Sequence, residues 1–433
     1  MSSLAAPPAE PPQPPAKPHR GIGRVLRSLG PGLITGAADD DPSGVATYSS
    51  TGAAFGFAML WTAPLMLPLM CAVQLICARV GMISGQGLAA VLREHYPRWV
   101  LWFACSLLLA ANIVNVGADL GAMGAVAHML TGLPTLLLIP LFAALILALL
   151  VFASYRVMAR VFKWLTLVLF AYVGAAFLAG APLGEVARGT LVPTLRMDRE
   201  FVLTLVAILG TTISPYLFFW QADEEVEEEK ARGRTTVESR RGASERALRN
   251  ARADVVLGMT VSVVIFYFIV LTTGATLHAN GQTTIQTAEQ AAQALRPIAG
   301  PAAALLFSLG IIGTGMLGVP VLAGSAALAV AEAEGWRAGM SEKPARAIRF
   351  YAVMALALLA GMLMDAVGVN AVRMLFWAAV VNGLLAPPLI FLILLVANNP
   401  KVMGAQTNSR ALNVLGALTG ALMTAAAVAL LIV

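Results

Sequence analysis

Three consecutive carboxylates, Asp39-Asp40-Asp41, lie inside an otherwise apolar stretch that runs from about residue 30 to residue 57. A carboxylate near the middle of a membrane-crossing segment costs at least a few kcal/mol, so it persists where it faces a cavity, a partner charge or an ion. Pro42 lacks an N–H and Gly44 tolerates unusual dihedral angles, so a helix should break here. Broken membrane helices expose carbonyls that bind cations. The pattern predicts a cation site; the alternative is an acidic loop at a helix end.

A second interruption lies at residues 210–216, where a glycine, three hydroxyl side chains and Pro215 fall within another apolar stretch. On a helix, neighbouring side chains point about 100° apart, so three adjacent carboxylates cannot all bind one ion. We expect Asp41 to contact the ion directly, and Asp39 or Asp40 to act through water or to line the vestibule. Asp119 is a further intramembrane acid and a functional candidate; the alternative is a structural carboxylate bonded to a neighbouring helix.

The elements that must hold these residues are membrane helices. The chain has 433 residues, of which 58% are hydrophobic and 12% charged, against about 25% charged in an average soluble domain. Its mean hydropathy is +0.79. We therefore predict an all-α polytopic membrane protein whose surroundings are the lipid bilayer. The net charge of +6 does not indicate nucleic-acid binding, because basic cytoplasmic loops give the same sum.

We predict a disordered, Pro-rich cytoplasmic tail over residues 1–29 and a transporter domain over 30–433. Spans one and six, which hold the two interruptions, are five apart, as in an inverted 5+5 repeat followed by an eleventh helix. Repeat one covers about 30–181, repeat two about 200–397, and the extra helix about 411–432. The eleven predicted spans are about 30–56, 57–78, 100–128, 134–154, 162–181, 200–221, 254–276, 300–331, 348–367, 373–397 and 411–432.

Basic residues predict the orientation. The tail and the loops after the even-numbered spans hold 24 of the 29 lysines and arginines, so we expect a cytoplasmic N-terminus and an outside C-terminus, in a bacterial inner membrane. The most polar segment, about residues 222–253, has an acidic run followed by arginines. We interpret it as a solvated, charge-paired cytoplasmic helix or linker; the alternatives are a divalent-cation sensor and a partner-docking segment.

Four motifs resemble the NRAMP family of divalent metal-ion transporters. Gly30-Pro31-Gly32 followed by Asp41-Pro42-Ser43-Gly44-Val45-Ala46-Thr47 is similar to G-P-G…D-P-G-N-x-A-T, and Gly210-Thr211-Thr212-Ile213-Ser214-Pro215-Tyr216 is similar to G-A-T-V-M-P-H. Residues 79–89 match R-x-G-x-x-T-G-x-G-L-A, and residues 396–404 resemble N-x-x-x-M-G. The resemblance covers about residues 30–430. It implies a LeuT-type fold with a metal site between the two broken helices.

Carried over by position, the resemblance implies that Asp41 is the carboxylate ligand and that Thr211 offers a backbone carbonyl. This chain departs from the family motifs at four positions. Gly44 stands where the family has an asparagine ligand and Ser214 where it has a methionine ligand, while Tyr216 and Gln221 stand where it has two histidines. In span three, Val116 falls at an acidic position and Asp119 at a glutamate. The chain therefore looks like a divergent branch, similar to NRAMP-related magnesium transporters.

Replacing a thioether by a hydroxyl removes the preference for soft metals, because sulfur ligands favour softer ions over Mg²⁺ and Ca²⁺. An all-oxygen site suits a hard cation, and Mg²⁺ usually keeps several waters. We expect alternating-access transport of Mg²⁺ or Mn²⁺ without proton coupling, because Tyr216, Gln221 and Val116 do not titrate near neutral pH. The metal is the cargo, and no cofactor is expected.

Three alternatives remain open. The first is a proton-coupled Mn²⁺/Fe²⁺ symporter with a rebuilt site, in which Asp119 carries the proton. The second is an amino-acid transporter on the same fold, which would need a binding site for the substrate carboxylate at the half-helix N-termini. Three acids beside that site disfavour this alternative. The third is an intramembrane aspartyl protease, but the chain lacks a Gly-x-Gly-Asp motif. We therefore expect a transporter and not an enzyme.

Overall fold

The computed structural model describes residues 30–152, 167–340, 342–365 and 370–433. Within these ranges the chain is helical and contains no strand. The predicted tail, residues 1–29, lies outside them. Helices of eight or more residues are numbered α1 (Pro31–Asp39), α2 (Pro42–Phe55), α3 (Thr62–Ser84), α4 (Leu88–His95), α5 (Arg98–Thr131), α6 (Thr135–Phe152), α7 (Ala171–Leu178), α8 (Leu183–Leu191), α9 (Arg199–Thr212), α10 (Pro215–Ala231), α11 (Glu245–Thr276), α12 (Ala303–Glu334), α13 (Ile348–Asp365), α14 (Ala371–Ala397) and α15 (Arg410–Ile432).

The described part of each predicted span coincides with a helix or a helix pair; residues 153–154 of span four, 162–166 of span five and 366–367 of span nine lie outside the described ranges. Eight stretches of the described chain are long and apolar enough to cross a membrane. The other three predicted spans are the interrupted pair α1–α2 and the shorter apolar helices Leu167–Leu178 and Ile348–Met364. The polytopic all-α prediction is confirmed. The repeat limits stay a prediction.

Both predicted helix breaks are present, and a proline begins the second half of each span. In span one, α1 ends at Asp39, Asp40 leaves the helical region with ψ 50°, and α2 begins at Pro42. In span six, α9 ends at Thr212, Ile213 has φ −122° and ψ 67°, and α10 begins at Pro215. Proline suits the first position of a helix because its missing N–H would have no partner there.

The two halves of the chain pack in equivalent ways, which is the signature of the LeuT-type inverted repeat. The second half of span one, α2, packs along α11, and the second half of span six, α10, packs along α3. The half-helices also pack crosswise, α9 against α2 and α10 against α1. This arrangement brings the two breaks together inside the helical bundle.

The predicted alternation of loops between two faces is supported by contacts at the helix ends. We call the face that is predicted to carry the N-terminal tail and the loops after the even-numbered spans the basic face. There, Arg79 donates to the carbonyls of Gln406 and Thr407 at 2.7 and 3.1 Å. On the opposite face, an imidazole nitrogen of His278 lies 2.7 Å from the carbonyl oxygen of Ala53. Each of these contacts joins segments that the prediction places on one face, and the division of the other loops stays a prediction. Which face is cytoplasmic stays a prediction.

The acidic segment after span six differs from its prediction. A helix is present, as the prediction allowed, but its start is not solvated, because α10 continues to Ala231 and buries three of its acids, Asp223, Glu225 and Glu229. The predicted charge pairing is present: Glu229 bonds Arg232 at 2.8 Å and Arg234 at 2.9 Å. A hydropathy pattern predicts that these acids are solvated, because it depends on residue type alone and takes no account of contacts between helices.

Candidate metal centre

Asp41 occupies the break in span one and caps the N-terminus of α2. Its Oδ1 accepts a hydrogen bond from the Gly44 N–H at 2.8 Å. Its Oδ2 lies 3.4 Å from the Tyr216 hydroxyl on α10, which donates to it. The residue is only 2% exposed. The helix dipole at the start of α2 favours a negative charge at this position, and the hydrogen bond to Tyr216 aims the carboxylate at span six.

Gly44 lies where the two broken spans meet. A β-carbon added here would come within 3.3 Å of the Asp39 carbonyl oxygen, 3.4 Å of Thr211 Oγ1 and 3.4 Å of the Tyr48 ring. The C-terminal ends of α1 and α9 therefore approach the same point. The Tyr48 ring fills one side of this point.

Tyr216 joins the ends of the two broken spans. Its hydroxyl lies 3.0 Å from the Ala38 carbonyl oxygen at the end of α1, in addition to its contact with Asp41. A hydroxyl carries one proton, so the tyrosine shares it between a helix-end carbonyl and the carboxylate. The structure thus brings Tyr216 to the predicted site.

Ser214 points back at the helix that precedes it. Its Oγ donates to the carbonyls of Gly210 and Thr211, both at 2.8 Å. These carbonyls belong to the last turn of α9, where four carbonyls lack partners within the helix. The Thr211 carbonyl keeps its second lone pair for a cation, and Ser214 keeps its own lone pairs.

Asp39 and Asp40 face α11 rather than span six. The Ser262 hydroxyl lies 2.6 Å from Asp39 Oδ2 and 3.1 Å from Asp40 Oδ1. Both residues are buried, at 0% and 2% exposure, and Asp39 Oδ1 and Asp40 Oδ2 have no hydrogen-bond partner among the described residues. One serine proton therefore serves two carboxylates that lie beside Asp41 in the chain.

Asp119 lies on α5, beside Asp41 and across Gly318 of α12. A β-carbon on Gly318 would come within 3.2 Å of the Asp41 Cβ and 3.8 Å of Asp119 Oδ2. Asp119 is fully buried, and neither of its carboxylate oxygens has a hydrogen-bond partner within the described part of the chain. The functional role of Asp119 and the alternative of a structural carboxylate bonded to a neighbouring helix both stay predictions.

Gln221 is the one predicted pathway residue that the structure turns away from Asp41. Its amide nitrogen donates to Glu225 Oε1 at 3.1 Å, one turn further along α10, and its own carbonyl oxygen is buried without a partner among the described residues. Gln221 and Glu225 therefore form a buried polar pair on α10, on the side towards the basic face of the protein.

Sequence reasoning missed three residues of this centre. Ser262 and Gly318 come from other spans and carry no local signal. Tyr48 shares a face of α2 with Asp41, since seven residues make two helical turns, and this spacing could have revealed it. Its hydroxyl lies 3.1 Å from Thr212 Oγ1, and its ring stacks on Phe266 with centroids 4.2 Å apart.

A cavity of about 780 Å³ opens from the basic face towards this centre. Its lining includes Gly30 and Leu33 of the span-one segment, Glu225 and Glu228 of α10, and Asp254 of α11. Leu33 and Asp39 are six residues apart, which is about 9 Å along a helix. The cavity therefore lies between the two broken spans, and its lining at Leu33 is about 9 Å along α1 from Asp39.

The donors that meet at the two breaks are oxygens: the Asp41 carboxylate, the carbonyls of Asp39 and Thr211, and the hydroxyls of Ser214 and Tyr216. The C-terminal ends of α1 and α9 add negative partial charge. Carboxylate, carbonyl and hydroxyl oxygens are the donors that hard divalent cations prefer. The centre is chemically suited to bind such an ion between the broken helices.

A protein-family model described as "Natural resistance-associated macrophage protein-like" (Nramp) matches residues 32–433. Among curated proteins, a divalent metal cation transporter, MntH, of Klebsiella pneumoniae is 26% identical over 407 residues, covering 89% of each chain. The MntH of Deinococcus radiodurans is 29% identical over 309 residues, covering 69% of this chain and 67% of its own.

Solved structures support the fold. The manganese transporter of Eremococcus coleocola superposes with a TM-score of 0.74 at 16% identity, covering 95% of this chain and 87% of its own. The inward-facing conformation of Mhp1 superposes with a TM-score of 0.54 at 16% identity, covering 93% and 90%.

Proposed function

Because the chain belongs to the Nramp family, we propose that it transports divalent metal cations across a bacterial inner membrane and that Asp41 is the carboxylate that binds the ion. The support is the position of Asp41 at the crossing of the two broken helices, bonded to Gly44 and Tyr216. Its relatives are transporters by name, which supports transport rather than intramembrane proteolysis.

The set of oxygen donors supports a hard cation, Mg²⁺ or Mn²⁺. Ser214 stands where a thioether would favour softer metals, and it supplies a hydroxyl that is already oriented by two carbonyls. Asp39 and Asp40 add negative charge on the α11 side. The related structure is named a manganese transporter, which fits the same donor class. Amino-acid transport is disfavoured because three carboxylates would repel a substrate carboxylate.

The cavity of about 780 Å³ supports a route on the basic face, which we propose is cytoplasmic. Its lining holds three acids, Glu225, Glu228 and Asp254, and two arginines, Arg232 and Arg246. This excess of negative charge would attract cations. Alternating access then requires α1 and α10 to separate at this face while the opposite face stays packed. Gln221 lies on this route, one helical turn before Glu225.

The second candidate is a proton-coupled symporter, and one observation favours it. Asp119 has two buried oxygens without partners among the described residues, and it lies beside Asp41. A carboxylate in that position is able to exchange a proton when the metal binds or leaves. We nevertheless propose uncoupled transport, because Tyr216 and Gln221 replace the titratable groups that the resemblance leads one to expect.

A flux assay with purified protein in liposomes tests the proposal. Mg²⁺, Mn²⁺, Ca²⁺, Cd²⁺ and leucine are offered to the wild type and to Asp41→Ala. We expect saturable Mg²⁺ or Mn²⁺ uptake that Asp41→Ala abolishes, with weak Cd²⁺ uptake and none of leucine. Leucine uptake, or metal uptake that survives in Asp41→Ala, would overturn the proposal.

A further inference from the structure

A second buried acidic cluster lies at the far end of α10, outside the centre described above. Asp223 on α10 and Glu332 on α12 converge beside Gly87, the residue that precedes α4. A β-carbon on Gly87 would fall in the space taken by Asp223 Oδ1 and Glu332 Oε1. Two carboxylates from different helices thus occupy one small volume, which only a glycine at position 87 allows.

The Asp223 carboxylate is buried without a hydrogen-bond partner in the described part of the chain that would offset its loss of hydration. It is 3% exposed, and neither carboxylate oxygen has a hydrogen-bond partner among the described residues. A buried ionised carboxylate is costly unless it is paired, hydrogen-bonded or bound to a metal. Glu332 is better satisfied, because its Oε2 accepts the Ala90 N–H at 3.1 Å in the first turn of α4.

The basic groups nearby are engaged elsewhere. Lys230 donates to Glu227 Oε1 at 2.7 Å, and Arg93 donates to the backbone carbonyl of Glu332 rather than to its carboxylate. Neither is paired with Asp223 at ion-pair distance. Within the ranges that the structure describes, Asp223 is therefore left without a hydrogen-bond or ion-pair partner at contact distance, and a cation from outside the protein would supply one.

Both carboxylates line a cavity of about 170 Å³, together with Glu227, Lys230 and Trp336. This volume has room for an ion that keeps part of its water shell. Mg²⁺ is usually bound by one or two carboxylates and retains several waters, which is the donor set that Asp223 and Glu332 offer.

We propose that Asp223 and Glu332 form a second divalent-cation site at the basic face, separate from the centre at Asp41. An ion bound there bridges α10 to α12 and to the start of α4, and it therefore stabilises the second half of span six in its present position. The ligand class is a hard, partly hydrated divalent cation. Binding at this site does not depend on Asp41 or on transport.

Luminescence of Tb³⁺, an oxygen-seeking ion excited through nearby tryptophan, tests the proposal on the full chain in detergent, because Trp336 lines the same cavity. We expect saturable emission in the wild type that Mg²⁺ or Mn²⁺ displaces. Asp223→Asn and Glu332→Gln should each reduce it at least tenfold. Glu334→Gln, an exposed acid two residues further along the chain, is the matched control and should retain it.

Asp41→Ala separates the two sites. Emission that remains in Asp41→Ala while metal flux is lost supports a site distinct from the transport centre. Emission that persists in both Asp223→Asn and Glu332→Gln overturns the second site, and so does emission that disappears in Asp41→Ala. Size-exclusion profiles identify any variant that has not folded, and the Glu332→Gln variant keeps the test decisive if Asp223→Asn is one of them.

Discussion

Asp41 and Gly318 lie so close that a β-carbon on Gly318 would come within 3.2 Å of the Asp41 Cβ. The glycine on α12 therefore sets the distance between Asp41 and the helix behind it. We predict that Gly318→Ala reduces metal flux about tenfold, because overpacking costs about 1–3 kcal/mol and each 1.4 kcal/mol is a factor of ten.

The matched control for this variant is Gly310→Ala on the same helix. Its β-carbon would meet Leu169 Cδ2, also at 3.2 Å, but away from the carboxylates. Flux measured in liposomes should be close to wild type in Gly310→Ala. Equal losses in the two variants would show that general packing of α12, and not the position of Asp41, explains the effect.

The second prediction concerns the ion ligand itself. Asp41→Asn keeps an oxygen that can accept the Gly44 N–H but removes the negative charge. We expect flux to fall at least about tenfold, since hydrogen bonds and contacts to charged groups contribute about 1.5–3 kcal/mol. Flux of Mg²⁺ and Mn²⁺ in liposomes measures it, and an unchanged thermal unfolding midpoint shows that the fold is intact. Wild-type flux would remove Asp41 from the ligands.

Asp41 and Gly318 show which features of the site can be predicted from the sequence and which cannot. The breaks at Pro42 and Pro215 follow from local chemistry and are confirmed. Gly318 lies 277 positions from Asp41 in the chain, so their contact arises only from helix packing. The burial of Asp223 and Glu229 was missed for another reason: acidic residues occupy inward positions of α10, where hydropathy predicts solvent.

The third prediction concerns selectivity at Ser214. Ser214→Met replaces a hydroxyl that bonds two carbonyls by a thioether, which favours softer metals. We expect the ratio of Cd²⁺ to Mg²⁺ uptake to rise at least about tenfold, which corresponds to about 1.4 kcal/mol. Ser214→Ala removes the same two hydrogen bonds without adding sulfur, so the ratio should stay near wild type there. A ratio that is the same in both variants would show that residue 214 does not face the ion.

The fourth prediction concerns the serine that Asp39 and Asp40 share. Ser262→Ala leaves both carboxylates without this donor, which should destabilise the fold by about 1–3 kcal/mol and lower the thermal unfolding midpoint in detergent. Thr260→Ala is the control, because the Thr260 hydroxyl bonds only a carbonyl of its own helix at an exposed position. A midpoint that moves equally in both variants would contradict a specific role for Ser262.

The last prediction concerns proton coupling. A proton symporter needs a group near the ion that gains and loses a proton in each cycle. Tyr216 contacts Asp41, but an unperturbed tyrosine titrates near pH 10, and Gln221 has no titratable group. Of the residues that we predicted for coupling, only Asp119 remains, and it lies beside Asp41 across Gly318.

We predict that Mg²⁺ or Mn²⁺ uptake into liposomes leaves the luminal pH unchanged, as recorded by an enclosed pH dye. Asp119→Asn should then transport without any change in the dye signal. Acidification that follows the metal concentration in the wild type and vanishes in Asp119→Asn would instead identify Asp119 as the proton carrier, because its buried oxygens would then exchange a proton for the charge of the ion bound at Asp41.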